Sequence, residues 1–194
     1  MKYFTADTHF GHKLPINKTI MGKQVRPFET VEEMNEALIS NWNKVVSSKD
    51  EVYHLGDVSL CNVSKTKEIL DRLNGKIYLI SGNHEHSALD KKCIDRFEWV
   101  KPYHKFDVDI EEVKTRICLM HFPIACWDKM HYGAIHLHGH SHYSYLPPFG
   151  KIMDVGVDNP LSNYSPFSFD QIVTFMKSRT TIAVDHHSSA TGRA

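Results

Sequence analysis

The chain lacks an excess of either charge. Its 194 residues carry 23 Lys and Arg against 23 Asp and Glu, so the formal net charge is zero. Proteins that hold long nucleic acids through many phosphates usually show a basic excess or a basic stripe. The charge balance therefore favours a small substrate over a polymer, and stable binding to nucleic acid is not expected.

Long apolar runs are also missing, and no stretch approaches the roughly 20 apolar residues of a membrane span. The apolar start, Met1 to Ala6, turns polar at Asp7 and is too short for the core of a signal peptide. The four cysteines include no C-x-x-C pair, so we expect reduced thiols and a cytoplasmic protein. We expect one domain over residues 1–184, and a flexible tail over the small, polar residues 185–194.

Apolar runs alternate with helical patterns along the chain, which favours an α/β fold. Thr30 and Glu33 form a capping-box pattern ahead of one helix, and Ser168 and Gln171 form another near the end. Residues 63–73 and 87–97 are further predicted helices. The predicted strands are residues 2–6, 51–55, 76–80, 115–120 and 134–138. Each of these strands runs into a polar motif, and we expect the five strand ends to meet along one sheet edge.

Histidine is the compositional outlier, with 14 residues. Several histidines fall within the polar motifs, which are Asp7-Thr8-His9, Gly56-Asp57, Gly82-Asn83-His84-Glu85, His121 and Gly139-His140-Ser141-His142. Each motif alone has an ordinary explanation, such as a Gly-Asp turn or a surface histidine. In this order and at strand ends, their oxygen and nitrogen ligands indicate a centre for two divalent metals, namely Mn, Fe, Ni or Zn, with Mn favoured. A carboxylate such as Asp57 can bridge two metals about 3.5–4 Å apart.

This pattern resembles the calcineurin-like metallophosphoesterase family, whose signature is D-x-H, G-D, G-N-H-[DE], H and G-H-x-H in that order. Phe10-Gly11-His12, the predicted helix from Met34 to Val46 and Tyr53-His54-Leu55-Gly56-Asp57 look similar to small single-domain bacterial and phage members. The resemblance implies a four-layer α/β/β/α sandwich. It also implies that one metal is bound by Asp7, His9, Asp57 and His142, and the other by Asp57, Asn83, His121 and His140.

The activity that the resemblance implies is hydrolysis of a phosphoester by a metal-bridging hydroxide that attacks phosphorus in line, with His84 as the general acid. We expect phosphodiesters of small, nucleotide-like substrates, with monoesters left open. The long loop of residues 11–29 offers His12 and Arg26 as phosphate contacts, Arg26 through paired hydrogen bonds. His54, just before the Gly56-Asp57 motif, is a third candidate near the substrate or behind the metal ligands.

Two other functions remain open from the sequence. One is a nuclease, because relatives of this family cut DNA or RNA. The other is a non-catalytic metal-binding scaffold, which is expected to lose ligands or the catalytic histidine, whereas His84 and all seven ligand positions are present here. A hydrolase of the metallo-β-lactamase type is disfavoured, because its H-x-H-x-D-H run is absent.

Overall fold

Two β-sheets packed face to face form the centre of the computed structural model, which describes residues 1–13, 19–20 and 23–181. The strands are β1 (Lys2–Thr5), β2 (Thr19–Ile20), β3 (Lys23–Gln24), β4 (Glu51–His54), β5 (Lys76–Ile80), β6 (Phe97–Lys101), β7 (Tyr103–Ile110), β8 (Val113–Met120), β9 (Ile135–His138), β10 (Ile152–Asp154) and β11 (Phe167–Ser168). The helices are α1 (Val31–Val45), α2 (Val63–Arg72) and α3 (Phe169–Met176), with 3-10 helices at Ile94–Arg96 and Met130–Tyr132. The first sheet has the order β11-β1-β4-β5-β6, the second has the order β10-β9-β8-β7, and β2 pairs with β3.

Alternation along the strands of the first sheet builds two separate apolar cores. On β1, Tyr3 packs in the core under α1 and α2, whereas the next residue, Phe4, packs in the core between the sheets. Successive side chains of a strand point to opposite faces, so a sheet that is buried on both faces needs apolar residues at odd and even positions of the strand. Ile135 and Leu137 of β9 fill the same inter-sheet core from the second sheet.

Helix α1 begins where the capping pattern predicts. The Thr30 hydroxyl accepts a hydrogen bond of 3.0 Å from the backbone N–H of Glu33, which satisfies one of the free donors of the first turn. The Glu33 carboxylate accepts from the N–H of Glu29 instead of closing the box on Thr30. At α3 both halves of the box are present, between Ser168 and Gln171.

The predicted four-layer α/β/β/α sandwich is confirmed. Its outer layer on the second sheet is thin, because the 3-10 helix Met130–Tyr132 and the neighbouring Trp127 cover Cys118 and Ile152 there. The predicted helix over 87–97 is wrong, since that segment forms turns, a 3-10 helix and then β6. The Asp90 carboxylate accepts a hydrogen bond from the N–H of Lys92, a local alternative to helical pairing.

The five motif-bearing strands divide between the two sheets, so the expectation of a single sheet edge is wrong. Strands β1, β4 and β5 run parallel in the first sheet, and β8 and β9 run parallel in the second. Beyond the strand ends the sheets are joined, because Ala6 forms a bridge with Gly156 from the loop after β10. The two carboxyl edges therefore face one another and bring the motifs together.

Parts of the predicted organisation fall outside the described residues, among them the tail over 185–194. Within the described ranges, none of the helices combines the length and the apolar character that a membrane span requires. The cytoplasmic location and the single-domain boundary stay predictions.

Candidate metal centre

Two clusters of potential ligands lie at the facing sheet edges. The first, called the Asp7 group, contains Asp7, His9 and His142, and the second, called the Asp57 group, contains Asp57, His121 and His140. Within each group, one ligand atom from every member lies within 4.8 Å of the others. These two groups thus contain six of the seven predicted ligands, drawn from both sheets.

Asp57 lies between the two groups. Its Oδ2 atom is 3.4 Å from Nε2 of His9 and 3.6 Å from Nε2 of His121. Its other oxygen accepts a hydrogen bond of 2.9 Å from the backbone N–H of His84. A carboxylate oxygen that faces one imidazole from each group lies within reach of an ion bound at either group.

The seventh predicted ligand, Asn83, faces His121. Nδ1 of His121 is 2.7 Å from the carbonyl oxygen of Leu55, so Nδ1 carries the proton and Nε2 carries the lone pair. Burial lowers the pKa of His121, which favours this neutral form. Nε2 nevertheless lies 3.0 Å from Oδ1 of Asn83, so with this amide orientation acceptor atoms face each other. A cation between them satisfies both lone pairs.

Asp7 and His9 are deeply buried, and the His9 ring lacks hydrogen-bond partners in the part of the chain that the structure describes. Both ring nitrogens of His9 are buried with no hydrogen-bond partner among the described residues, and burial lowers the pKa of His9 to about 2. Burial, and next the charge of Asp154, raise the pKa of Asp7. A buried neutral imidazole without a partner, next to acidic groups, is costly unless an ion completes its bonding. The donor set and its orphaned atoms therefore fit divalent cations.

Left-handed backbone conformation is concentrated at the candidate ligands. Five of the seven have positive φ angles, namely Asp7 (55°), His9 (45°), Asp57 (59°), His140 (65°) and His142 (48°). Such a conformation costs a residue other than glycine about 1–3 kcal/mol and persists only where the surroundings fix it. Here the turns after the strands point side chains from both sheets into a shared space.

Two glycines allow the ligands to approach closely. A Cβ atom on Gly139 would lie 2.7 Å from Oδ2 of Asp7, and one on Gly56 would lie 2.6 Å from Nδ1 of His121. Gly56 also has φ of 95°, which side-chain-bearing residues rarely adopt. The glycines of the G-D and G-H-x-H motifs are therefore both required by space, and Gly56 is required by its backbone conformation as well.

Glu85 has a supporting place that sequence reasoning did not assign. Its buried carboxylate accepts hydrogen bonds from the backbone N–H groups of Asp57 and Gly82, which ties the second and third motifs together. Burial raises the pKa of Glu85 to about 7. The acidic residue at the end of the G-N-H-E motif was the available signal.

Arg26 is not a phosphate contact, contrary to expectation. It is fully buried, and its guanidinium donates to the Asp158 carboxylate and to the backbone carbonyls of Asp7 and Thr8. Its donors are therefore engaged inside the fold. The sequence did not single out Asp158, because nothing there distinguishes it from an ordinary turn aspartate.

Of the two places expected for His54, the structure supports the one behind the metal ligands and not the substrate contact. His54 is buried, and its Nε2 lies 2.9 Å from the hydroxyl oxygen of Thr8, which itself donates to the carbonyl of Val58. Since that hydroxyl proton is committed, His54 donates to Thr8 and braces the loop that carries Asp7 and His9.

The other predicted functional histidines lie at the edge of the centre. His12 is half-buried, with its ring 5.4 Å from the ring of His9. His84 is exposed, with its ring 5.8 Å from that of His9. Both are placed where a molecule bound at the centre can reach them.

A cavity of about 530 Å³ lies elsewhere, between α1 and α2. Gly11, Asn35 and Cys61 are among its lining residues, and the candidate ligands are not. The cavity is therefore separate from the facing sheet edges where the ligands gather.

Comparison with known proteins finds relatives that cover most of the chain. The uncharacterized protein MJ1445 of Methanocaldococcus jannaschii is 38% identical over 183 residues, which cover 90% of either chain. The crystal structure of AQ665 from Aquifex aeolicus, a protein of unknown function, aligns with a TM-score of 0.60 at 20% identity, covering 90% of this chain and 98% of that one. The latter similarity supports the fold alone.

An archaeal phosphodiesterase aligns over 80% of this chain and 81% of its own, at 19% identity and a TM-score of 0.40, which is too low to support a conclusion. The family model for calcineurin-like phosphoesterases matches residues 3–193. That match contains all five motifs from Asp7 to His142, and the chain therefore belongs to the calcineurin-like phosphoesterase family.

Proposed function

We propose that this protein is a two-metal phosphoesterase that hydrolyses phosphodiesters of small, nucleotide-like substrates. The observation that carries the proposal is the position of Asp57, whose Oδ2 atom faces His9 of one ligand group and His121 of the other. A structural zinc site is usually closed by four ligands, whereas an ion that prefers six ligands, as Mn²⁺ does, would keep positions open for water and substrate when held by one of these groups and one further side chain.

In this proposal the Asp7 group and Asp57 hold one cation, while the Asp57 group and Asn83 hold the other. Manganese is favoured, since mixed carboxylate, amide and imidazole ligands suit borderline to hard divalent ions. Such a pair, when bound, lowers the pKa of a coordinated water and neutralises negative charge on a phosphoryl group. The residues' own task is to fix the ions and the substrate in one orientation.

His84 is the proposed general acid. Its backbone N–H is held by Asp57, whereas its ring is exposed beside the ring of His9. From there the imidazole can donate a proton to the oxygen that leaves phosphorus. A positioned general acid typically contributes 10²–10⁴-fold to a rate.

The proposed preference for small substrates is supported by the balance of 23 basic and 23 acidic side chains. His12 is the proposed contact beside the phosphate, because it stands half-buried next to His9. Cleavage of nucleic-acid polymers is the alternative, and an inert metal-binding scaffold is the alternative of another class.

One assay separates these functions. The protein is stripped of metal, reloaded with Mn²⁺ and offered matched aryl phosphate mono- and diesters, 2′,3′-cyclic and 3′,5′-cyclic nucleotides, and single- and double-stranded nucleic acid. We expect turnover of diesters and at least one cyclic nucleotide. Cleavage of polymers alone would establish the nuclease, and bound metal with no turnover of any substrate would establish the scaffold.

The role of His84 is tested by His84→Ala, with His86→Ala as the matched control from the same exposed loop. We expect His84→Ala to bind as much Mn²⁺ as the wild type and to lose turnover by about 10²–10⁴-fold. The loss should be smaller for a substrate with a good leaving group, which needs no proton. Metal loss in step with activity loss would contradict the assignment.

A further inference from the structure

A buried ion pair lies directly behind the Asp7 group. Nε and Nη2 of Arg26 donate to the two carboxylate oxygens of Asp158, at 2.7 and 3.0 Å. Both side chains are 0% exposed. A buried ion pair is weak evidence for stability alone, because apolar residues of the same volume often serve as well. Its specific contacts therefore need another explanation.

The rest of the guanidinium holds the loop that carries the first motif. Nη2 also donates to the carbonyl of Asp7 at 2.6 Å, and Nη1 donates to the carbonyl of Thr8 at 2.8 Å. The remaining Nη1 hydrogen faces the sulfur of Met34 at 3.5 Å. All five donors of the side chain are thus used, and two of them fix the loop around the left-handed Asp7.

Asp158 also contacts His142, a candidate ligand. Its Oδ2 atom lies 2.6 Å from Nδ1 of His142. Both carboxylate oxygens of Asp158 accept hydrogen bonds from the always-charged Arg26 guanidinium, so the group is a carboxylate. Because a carboxylate only accepts, Nδ1 of His142 carries the proton and Nε2 presents its lone pair.

The Asp57 group is supported differently. His121 is oriented by the carbonyl of Leu55, and the N–H of Asp57 is held by Glu85. Among the described residues, the hydrogen bonds of Arg26 and Asp158 reach Asp7, Thr8 and His142, but no member of the Asp57 group. The ion pair therefore acts on one half of the centre.

We propose that Arg26 and Asp158 are a positioning pair that fixes the tautomer and orientation of His142, and thereby sets the cation affinity of the Asp7 group alone. The inference depends on the proposed metal centre. It adds an asymmetry that the motifs do not contain, since neither residue belongs to them.

The direct test is the tautomer of His142 in metal-free Asp158→Asn. The Asn amide oxygen will accept from Arg26, leaving its NH₂ group to face His142, and the imidazole must then accept at Nδ1 and carry its proton on Nε2. Long-range ¹⁵N–¹H NMR reads the tautomer without any metal or activity. A proton that stays on Nδ1 in this variant would overturn the proposal.

The second test is Mn²⁺ stoichiometry and affinity in the intact protein. Calorimetry on the wild type should give two sites, and Asp158→Asn should retain one unchanged while the other weakens by roughly 10–100-fold. In EPR, the spectrum of a coupled Mn pair should become that of a single ion. The matched control is Asp107→Asn, which disrupts an Arg–Asp pair on the second sheet away from the centre.

Arg26→Lys keeps the positive charge but cannot make two parallel hydrogen bonds to the Asp158 carboxylate. This variant tests the proposal if Asp158→Asn does not fold. We expect selective weakening of the same site. Equal weakening of both sites, or of neither, in a folded variant would overturn the positioning pair. Wild-type protein that binds no Mn²⁺ would instead overturn the proposed function, and the NMR test would still decide whether Asp158 sets the His142 tautomer.

Discussion

The two ligand groups have similar members but different supports. In the Asp7 group, Nδ1 of His142 is held by the side chain of Asp158, which is itself held by Arg26. In the Asp57 group, Nδ1 of His121 is held by the main-chain carbonyl of Leu55, just beyond β4. Both arrangements put a hydrogen on Nδ1 and leave Nε2 free for a cation.

The difference shows two ways in which a fold can orient a metal ligand. Main-chain support at Leu55 follows from the end of β4 and survives any single side-chain change there. Side-chain support at Asp158 can be removed by one substitution, but its carboxylate makes the imidazole a stronger ligand than a carbonyl does. The Asp7 group is therefore expected to be the more easily altered half of the centre.

The largest effect is expected at Asp57, because the proposal assigns this residue to both cations. Asp57→Asn replaces the charged oxygen between His9 and His121 with a neutral amide, so both cation positions should weaken together. Because metal ions contribute several kcal/mol to stabilising phosphoryl charge, turnover should fall by about 10³-fold or more. Calorimetry with Mn²⁺ and a steady-state assay measure both effects.

The control for Asp57 is Asp71→Asn, at an exposed aspartate that pairs with Lys67 on α2. It should change neither metal binding nor turnover. Loss of only one cation in Asp57→Asn would show that the carboxylate serves one group and does not bridge.

Alanine at Gly139 or Gly56 should weaken Mn²⁺ binding at one ligand group and not at the other. Gly139→Ala pushes a methyl group against Asp7, whereas Gly56→Ala pushes one against His121 at a positive φ. We expect weaker Mn²⁺ binding at a different site in each variant, and a greater loss of thermal stability for Gly56→Ala, because backbone strain adds to the collision. Site-resolved EPR and thermal melts check this.

Gly133→Ala is the control for strain alone, because Gly133 has φ of 84° but the nearest atom to an added Cβ lies 3.3 Å away, on Thr181. It should lower the melting temperature without affecting Mn²⁺. Identical metal-binding losses in Gly56→Ala and Gly139→Ala would mean that the two groups do not respond independently.

Lowering the pH should destabilise the metal-free protein through two buried histidines, one beside the Asp7 group and one away from it. Burial lowers the pKa of His54 and of His136 to about 3 each, whereas an unfolded histidine titrates near 6.5. The unfolded state therefore takes up protons first, and stability that is complete above about pH 6.5 is lost as the pH falls toward 3. Each residue contributes up to roughly 5 kcal/mol to this loss.

Substitution with glutamine removes the titration while keeping an amide donor and acceptor. His54→Gln and His136→Gln should each flatten the fall of melting temperature between pH 7 and pH 4.5. Only His54→Gln should also weaken Mn²⁺ at the Asp7 group, because His54 donates to Thr8, whereas His136 bonds to Cys118 on β8 and to Ile124 in the loop after β8. An unchanged acid slope in both variants would contradict the buried neutral state.

The sequence predicts the fold well where local rules decide it. The box at Ser168 and Gln171 is complete, and α1 begins after Thr30, because caps act within one turn. The helix predicted over 87–97 fails, since Asp90 bonds locally and the chain then joins the first sheet as β6. Assignment of the motifs to two sheets depends on long-range packing that no local pattern records.

The candidate site also contains residues that the sequence predicts and residues that it does not. The motifs predict Asp7, His9 and the other candidate ligands, because each motif follows a strand that can be recognised in the sequence. Arg26 and Asp158 are 132 positions apart in the chain and meet only after both sheets have formed. An arginine in a long loop therefore suggested a phosphate contact, although its five donors are used inside the protein.

The smallest effect should come from a surface copy of the Arg26 geometry. Arg72 makes a two-point contact with Glu36, at 2.7 and 2.6 Å, between α2 and α1. The two side chains are 39% and 60% exposed, so water screens the pair and competes for its hydrogen bonds. Arg72→Gln should therefore cost about 0–1 kcal/mol and leave Mn²⁺ binding unchanged. Arg26→Gln leaves the buried charge of Asp158 without its cationic partner, at a cost of about 3–5 kcal/mol. Chemical denaturation of the two variants side by side measures the ratio. Similar costs would mean that burial and the connection to His142 add nothing to an ordinary arginine–carboxylate pair.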